Sequence, residues 1–200
     1  MYTSRLSPAL MTIACILFLI PGLAPALTPD ETVTATTQEV LTRLDRDHER
    51  LQADPDHIKV IVRELIVPHL DFQTMAGMIL GKNWEILSEA MRECFTAGFR
   101  NLLVERYSDI LLSYRNQDIH YAAARPIGDQ GYMSVLQTLT RGERKPLTIG
   151  YPMRPDGDHW SVVDLVVDDV SLVRSYRLMF ENEIQRQGLA DFLLSFPECH

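Results

Sequence analysis

Apolar residues recur every three or four positions from about Glu31 to Asn116 and every second position from Ile119 to Val167, so the chain is predicted to be helical first and β second. Val33, Val40, Leu41, Leu44 and Leu51 trace one amphipathic helix that Ala53-Asp54-Pro55 stops. Ile58, Ile61, Val62 and Leu65 form the inner face of a second, starting at Asp54 and closed by Pro68. Asp71 is placed to cap a third through Phe72, Met75, Ala76, Ile79 and Leu80, with Gly81 where a left-handed C-cap is expected. Ser88 opens a long fourth helix through Met91, Phe95, Phe99, Leu102, Leu103, Tyr107, Ile110, Leu111 and Tyr114.

Four alternating runs follow, Ile119 to Arg125, Tyr132 to Thr140, Lys145 to Met153 and His159 to Val167, separated by Gly-containing turns. Leu147, Ile149, Tyr151 and Met153 share one face of the third run. The fourth carries Trp160, Val162 and Val166 on one face and Val163, Leu165 and Val167 on the other, so it is apolar on both sides apart from Asp164. Ser171 then caps a last helix through Leu172, Val173, Tyr176, Phe180 and Ile184, Gly188 ends it, and Leu189 to Phe196 form a short final piece. The fold class this predicts is α+β, with helices packed on a curved four-stranded antiparallel sheet.

The first residues change the picture of where the chain works. Arg5, an apolar core from Leu10 to Ile20, the Pro21-Gly22 break and Ala24-Pro25-Ala26 form a secretory signal pattern, with cleavage expected after Ala26. The apolar segment is shorter than the ~20 residues that span a bilayer. Cys15 sits too early in it for lipoprotein processing. Residues 27–200 then suffice for one domain with its own core. Of 19 basic and 27 acidic residues, net −8, only Arg5 lies in the leader, and no basic stripe with interleaved aromatics suggests a nucleic-acid partner. In an oxidising compartment Cys94 and Cys199 could pair, but sequence does not show their separation; the reading favoured is a buried Cys94 thiol and a solvent-facing Cys199.

Candidate chemistry is sparse. There is no phosphate-binding Gly-rich loop, HExxH, CxxC or Gly-x-Ser-x-Gly, and the six histidines lack metal-ligand spacing, so no metal or cofactor is expected. His69, two residues before Asp71, reads as structural. Asp164 reads as a hydrogen-bond partner of a neighbouring strand or of the Ser171 helix start, and secondarily as a perturbed acid that, with Tyr107, could serve an enzyme for a small molecule on a cystatin- or nuclear-transport-factor-like cone. A third reading is a chaperone or adaptor with only packed core.

Pro68, Asp71-Phe72, Met75-Ala76, Leu80-Gly81-x-x-Trp84, then Phe95-x-x-x-Phe99-Arg100-x-Leu102-Leu103-x-x-x-Tyr107, Leu111 and Tyr114 resemble the MlaC family of periplasmic phospholipid-binding proteins, also named for toluene tolerance. Gly142, Tyr151, Trp160-x-x-x-Asp164, Val170-Ser171-Leu172-Val173 and Ser175-Tyr176-Arg177-x-x-Phe180 continue the resemblance over about residues 31 to 195. One departure is Asp168-Asp169, where the family usually has an acidic residue and Gly; a positive φ there would be tolerated by Asp at moderate cost.

The resemblance implies a monomeric periplasmic carrier that encloses the acyl chains of a diacyl phospholipid in an apolar pocket between helices and sheet and leaves the headgroup in solvent. It also implies partners: an outer-membrane lipoprotein complex and an inner-membrane ABC transporter, between which lipid is exchanged to maintain outer-membrane asymmetry. The lining residues expected are Leu70, Phe72, Met75 and Ile79; Phe99, Leu103, Tyr107 and Leu111; Val135, Leu139, Leu147, Ile149 and Val163; and Val170 and Val173. Arg92, Arg144 and Lys145 are the basic candidates for docking a partner.

Overall fold

Thr28 and Glu31 close a reciprocal capping box that starts α1 (Pro29–Arg46): the Thr28 hydroxyl accepts from the Glu31 amide, and the Glu31 carboxylate accepts from the Thr28 amide. The computed structural model describes residues 27–200 apart from 115–116, 141 and 143–144, so the expected leader, residues 1–26, lies outside the described residues. The helix expected to run to Ala53 breaks at Asp47 and resumes as α2 (His48–Ala53). Side-chain chemistry at Asp47 accounts for the break. The Asp47 carboxylate takes Arg43 Nε at 2.6 Å and His57 Nε2 at 2.8 Å, tying the bend to the start of α3 (His57–Leu65).

Pro68 lies in a 3-10 turn, Val67–His69, and Asp71 caps α4 (Phe72–Leu80) by accepting from the Thr74 amide at 2.9 Å. Gly81 has the positive φ expected, 54°, but with ψ −123° it lies outside the left-handed helical basin, and α5 (Lys82–Glu85) follows. Ser88 caps α6 (Glu89–Tyr107). From Ser108 to Tyr114 the backbone tightens to 3-10 instead of continuing as α-helix. There the Ser108 hydroxyl donates to the Val104 carbonyl, the back-bonding that bends helices.

The sheet follows the four expected runs, two of them broken, which makes six strands, and a seventh follows the fourth run: β1 (Asp118–Tyr121), β2 (Arg125–Ile127), β3 (Tyr132–Thr140), β4 (Leu147–Asp156), β5 (His159–Val162), β6 (Val166–Val167) and β7 (Val170–Ser171). β1 and β2 both pair antiparallel with β3, and β5 and β6 both pair with β4, so each broken run keeps its place beside one neighbour. The fourth run opens at Val163 to Leu165 because Asp164 turns away to accept from Ser171 Oγ at 2.5 Å and from the Val173 amide at 2.9 Å. β6 and β7 join through Asp168 (φ 45°) and Asp169 (φ 67°), a two-residue hairpin loop that demands positive φ at both positions. Asp168 offsets part of that cost by accepting from the Thr148 amide and hydroxyl.

Ser171 caps α7 (Leu172–Gln187), Gly188 ends it at φ 87°, and α8 (Leu189–Leu193) leads to a terminal 3-10 turn, Pro197–Cys199. The densest core lies among α4, α6, α7 and α8, where Phe95, Phe99, Tyr176, Phe180, Phe192 and Phe196 interlock in mostly edge-to-face pairs. A smaller cluster joins α1 to α2 and α3, and a third joins Val33 of α1 to Val135, Met153 and Val162 on the sheet.

Cys94 and Cys199 form a disulfide with Cα atoms 5.1 Å apart, which corrects the expectation of two free thiols. Burial of Phe196 in the aromatic cluster carries the chain end across α6, where residues 94, 98 and 101 share a face. Asn101 there donates to Glu198 at 2.5 Å. A Cβ on Gly98 would stand 2.6 Å from Phe196 Cδ1. Gly98→Val is therefore expected to lower stability by about 1–3 kcal/mol through overpacking, measured by denaturant unfolding; an unchanged midpoint would show that the strap is not seated on α6.

Candidate functional site

Three chain periodicities converge on one cavity of about 560 Å³. α1 contributes Thr32, Val33, Thr36, Thr37, Val40 and Leu41 at four-residue repeats; the C-terminal end of α6 and the 3-10 segment after it contribute Leu103, Val104, Tyr107, Ile110 and Leu111. β4 presents Leu147, Ile149, Tyr151 and Met153 at alternate positions. Val62, Ile66, Val67, His69, Leu70 and Phe72 close one side; Val162, Leu165, Val167, Val170, Leu172, Ser175 and Tyr176 close the other. Val33, Ile149, Met153 and Val162 are buried, whereas Ile110 and Val170 are 55 % and 61 % exposed and mark the rim.

No Asp, Glu, Lys or Arg lines this cavity among the described residues. Several polar groups on its wall are paired with one another or with the backbone. Tyr151 donates to Gln137 Oε1 at 2.6 Å, and Gln137 Nε2 donates to Thr37 Oγ1 and the Tyr121 hydroxyl. Thr32 and Thr37 donate back to the carbonyls of Thr28 and Val33, which satisfies their hydroxyls within the helix. Burial lowers the His69 pKa below its ordinary value, so the imidazole is neutral at pH 7. A wall that is apolar, with most of its buried polar atoms paired and no charged side chain among the described residues, suits hydrocarbon and offers little to a charged substrate.

Of the residues expected to line a pocket, Leu70, Phe72, Leu103, Tyr107, Leu111, Leu147, Ile149 and Val170 stand on this cavity. Met75, Ile79, Phe99 and Val173 belong instead to the core among α4, α6 and α7. Val135 packs in the small cluster with Val33, Leu139 is buried in the sheet, and Val163 lies in the broken stretch beside Asp164; none of the three is on the cavity wall. The stripe Phe99, Leu103, Tyr107 is continuous on α6, but it passes from solid core to cavity between Phe99 and Leu103. No α1 residue is among those expected to line the pocket; Val33, Val40 and Leu41 carry the apolar period there, and the hydroxyls of Thr32, Thr36 and Thr37 add no apolar signal to it.

The model of the MlaC protein family matches residues 34–196. This chain belongs to the MlaC family. It is 21 % identical over 184 residues to the intermembrane phospholipid transport system binding protein MlaC of Haemophilus influenzae, covering 90 % of this chain and 86 % of that protein. It is 25 % identical over 165 residues to the toluene tolerance protein ttg2D of Pseudomonas putida, covering 82 % of this chain and 76 % of the relative. The same fold occurs in a phospholipid-binding protein from Ralstonia solanacearum solved with a phospholipid, at TM-score 0.73 and 24 % identity, over 86 % of this chain and 96 % of that one.

In this MlaC-family chain the acid and tyrosine of the catalytic alternative are not on one site. Asp164 is absent from the cavity wall, and its carboxylate is taken by the Leu165 amide, Ser171 and the Val173 amide. The Arg92 guanidinium is likewise engaged, donating to the Trp84 and Glu85 carbonyls over the Trp84 ring. Lys145 is exposed, 3.9 Å from Asp168, and Arg144 lies outside the described residues.

One tie holds the cavity's side wall to the sheet. Leu70 bridges Val162, and Asp71 accepts from Arg154 Nε at 2.6 Å as well as capping α4. Burial of Asp71 pushes its pKa up, but Thr74 and Arg154 outweigh this and hold the carboxyl below the usual range. A depressed carboxylate contributes stability above its unfolded pKa, about 3.9, and loses it as pH falls through the folded value. Acid unfolding of Asp71→Asn should therefore be shallower than that of the wild type below about pH 4; identical acid limbs would show that Asp71 contributes nothing there.

Proposed function

We propose that this MlaC-family protein is a periplasmic carrier of diacyl phospholipid, with residues 1–26 directing export and the domain from residue 27 acting as a monomer. The acyl chains occupy the cavity and the headgroup stays beyond its rim. The observation that carries this is the wall free of Asp, Glu, Lys and Arg among the described residues, opening at exposed Ile110 and Val170. Each methylene withdrawn from water is worth ~0.8 kcal/mol, so exposing one long acyl chain costs on the order of 10 kcal/mol. A lipid crossing an aqueous space therefore requires a wall nearly as apolar as the bilayer it left.

The relative named for intermembrane phospholipid transport supports the transport role; the proposal extends it to exchange between an outer-membrane lipoprotein complex and an inner-membrane ABC transporter that maintains outer-membrane asymmetry. The engagement of Asp164 by the start of α7 supports a carrier over an enzyme. Transfer of a fluorescent phospholipid between two vesicle populations tests this. The protein should accelerate transfer with little headgroup preference; transfer no faster than without protein would refute the carrier reading.

A further inference from the structure

Tyr107 and Tyr176 place two phenol oxygens 3.4 Å apart in the cavity wall. Their surroundings differ: Tyr176 is 3 % exposed and Tyr107 is 38 % exposed. A phenol as buried as Tyr176 loses free energy unless its proton finds an acceptor, and the Tyr107 oxygen is the one within reach. With Tyr176 donating, the Tyr107 oxygen is spent as an acceptor and its own O–H has no acceptor among the described residues. Along the chain Tyr107 lies between buried Leu103 and Val104 and exposed Ile110, all on the same cavity wall.

We propose that the Tyr107–Tyr176 pair is a subsite for an acyl ester carbonyl of the bound glycerolipid, a reading that rests on the carrier function above. Passing outward from the tails of such a lipid, the ester carbonyls are the first hydrogen-bond acceptors met. They are neutral and accept without donating, which suits a single phenol proton that has no protein acceptor among the described residues. A phosphate held at the same depth would require a cation, and no Lys or Arg lines the cavity among the described residues. The pair sets how deep the cargo sits: tails below Tyr107, glycerol beside it and phosphate in water. It also separates ester-linked lipids from hydrocarbons and ether lipids of equal length, which an apolar wall alone would not do.

The test is a loading competition with the full chain. The purified protein is incubated with vesicles containing equal amounts of dioleoyl phosphatidylglycerol and its dioleyl ether analogue, re-isolated, and its bound lipid measured by mass spectrometry. Wild type should enrich the ester lipid about fivefold, the worth of one net hydrogen bond. Tyr107→Phe should bring the ratio close to one. Because that variant leaves the Tyr176 hydroxyl without an acceptor, Tyr107→Phe/Tyr176→Phe, which removes both polar groups, should give the same ratio in a well-folded protein. Equal loading by wild type, a preference that survives in both variants, or an equal weakening of both lipids would overturn the subsite while leaving the carrier intact. Failure to load either lipid would overturn the carrier reading itself.

Discussion

Replacing Leu147 by Glu is expected to reduce bound phospholipid at least tenfold while leaving the fold close to wild-type stability. Leu147 is half-buried at the start of β4, opposite Leu139, and faces the cavity beside Ile149. In the empty protein a carboxylate there can reach solvent through the opening. Against an acyl chain it must give up water without gaining a partner, since no basic residue lines the wall among the described residues, and that desolvation costs several kcal/mol. Val170→Glu should weaken loading less, because Val170 is already 61 % exposed at the rim. Leu178→Glu, on the solvent side of α7, serves as the control and should leave loading unchanged. Wild-type lipid content in Leu147→Glu would mean that this wall does not meet the cargo.

Loss of the Cys94–Cys199 bond is expected to lower the melting temperature by about 10 °C. The bond joins residues separated by 105 positions. A closed loop of that order restricts the unfolded chain by about 4–5 kcal/mol, and a domain of this size shifts by ~2–4 °C per kcal/mol. Cys94→Ser/Cys199→Ser and reductant-treated wild type should show similar falls. The cavity residues of α6 begin at Leu103, beyond the strapped stretch from Cys94 to Asn101, so lipid content should be retained. A melting temperature insensitive to reductant would contradict the pairing.

What could be read along the chain was the chemistry that acts within one turn. Asp71, Ser88 and Ser171 are helix caps because their side chains reach amides three residues on, and Gly188 ends α7 because it takes a positive φ. The α+β fold follows from that punctuation and the two hydrophobic periods. What escaped depends on distant partners. Asp47 breaks α1 from α2 because His57, ten residues on, meets its carboxylate beside Arg43; the Asp164 contact with the Ser171 helix start was legible, but not that it breaks the fourth β run. Cys199 meets Cys94 only after Phe196 is buried.

The cavity was half legible for a similar reason. A pocket wall and a packed core share a composition, so Phe99 and Leu103, one turn apart on α6 and in one core cluster, look alike in sequence, yet only Leu103 also reaches the cavity. On α1 the signal ran the other way. Thr32 and Thr37 return their hydroxyl protons to the helix backbone, so residues that look solvent-facing can line an apolar cavity.

The claim that the cavity holds acyl chains is tested most directly by native mass spectrometry of the purified full-length protein, followed by organic extraction of whatever it carries. The account predicts a bound population heavier by the mass of a diacyl phospholipid, released as that lipid on extraction and absent from Leu147→Glu. A protein that emerges ligand-free, even after incubation with phospholipid vesicles, would contradict it.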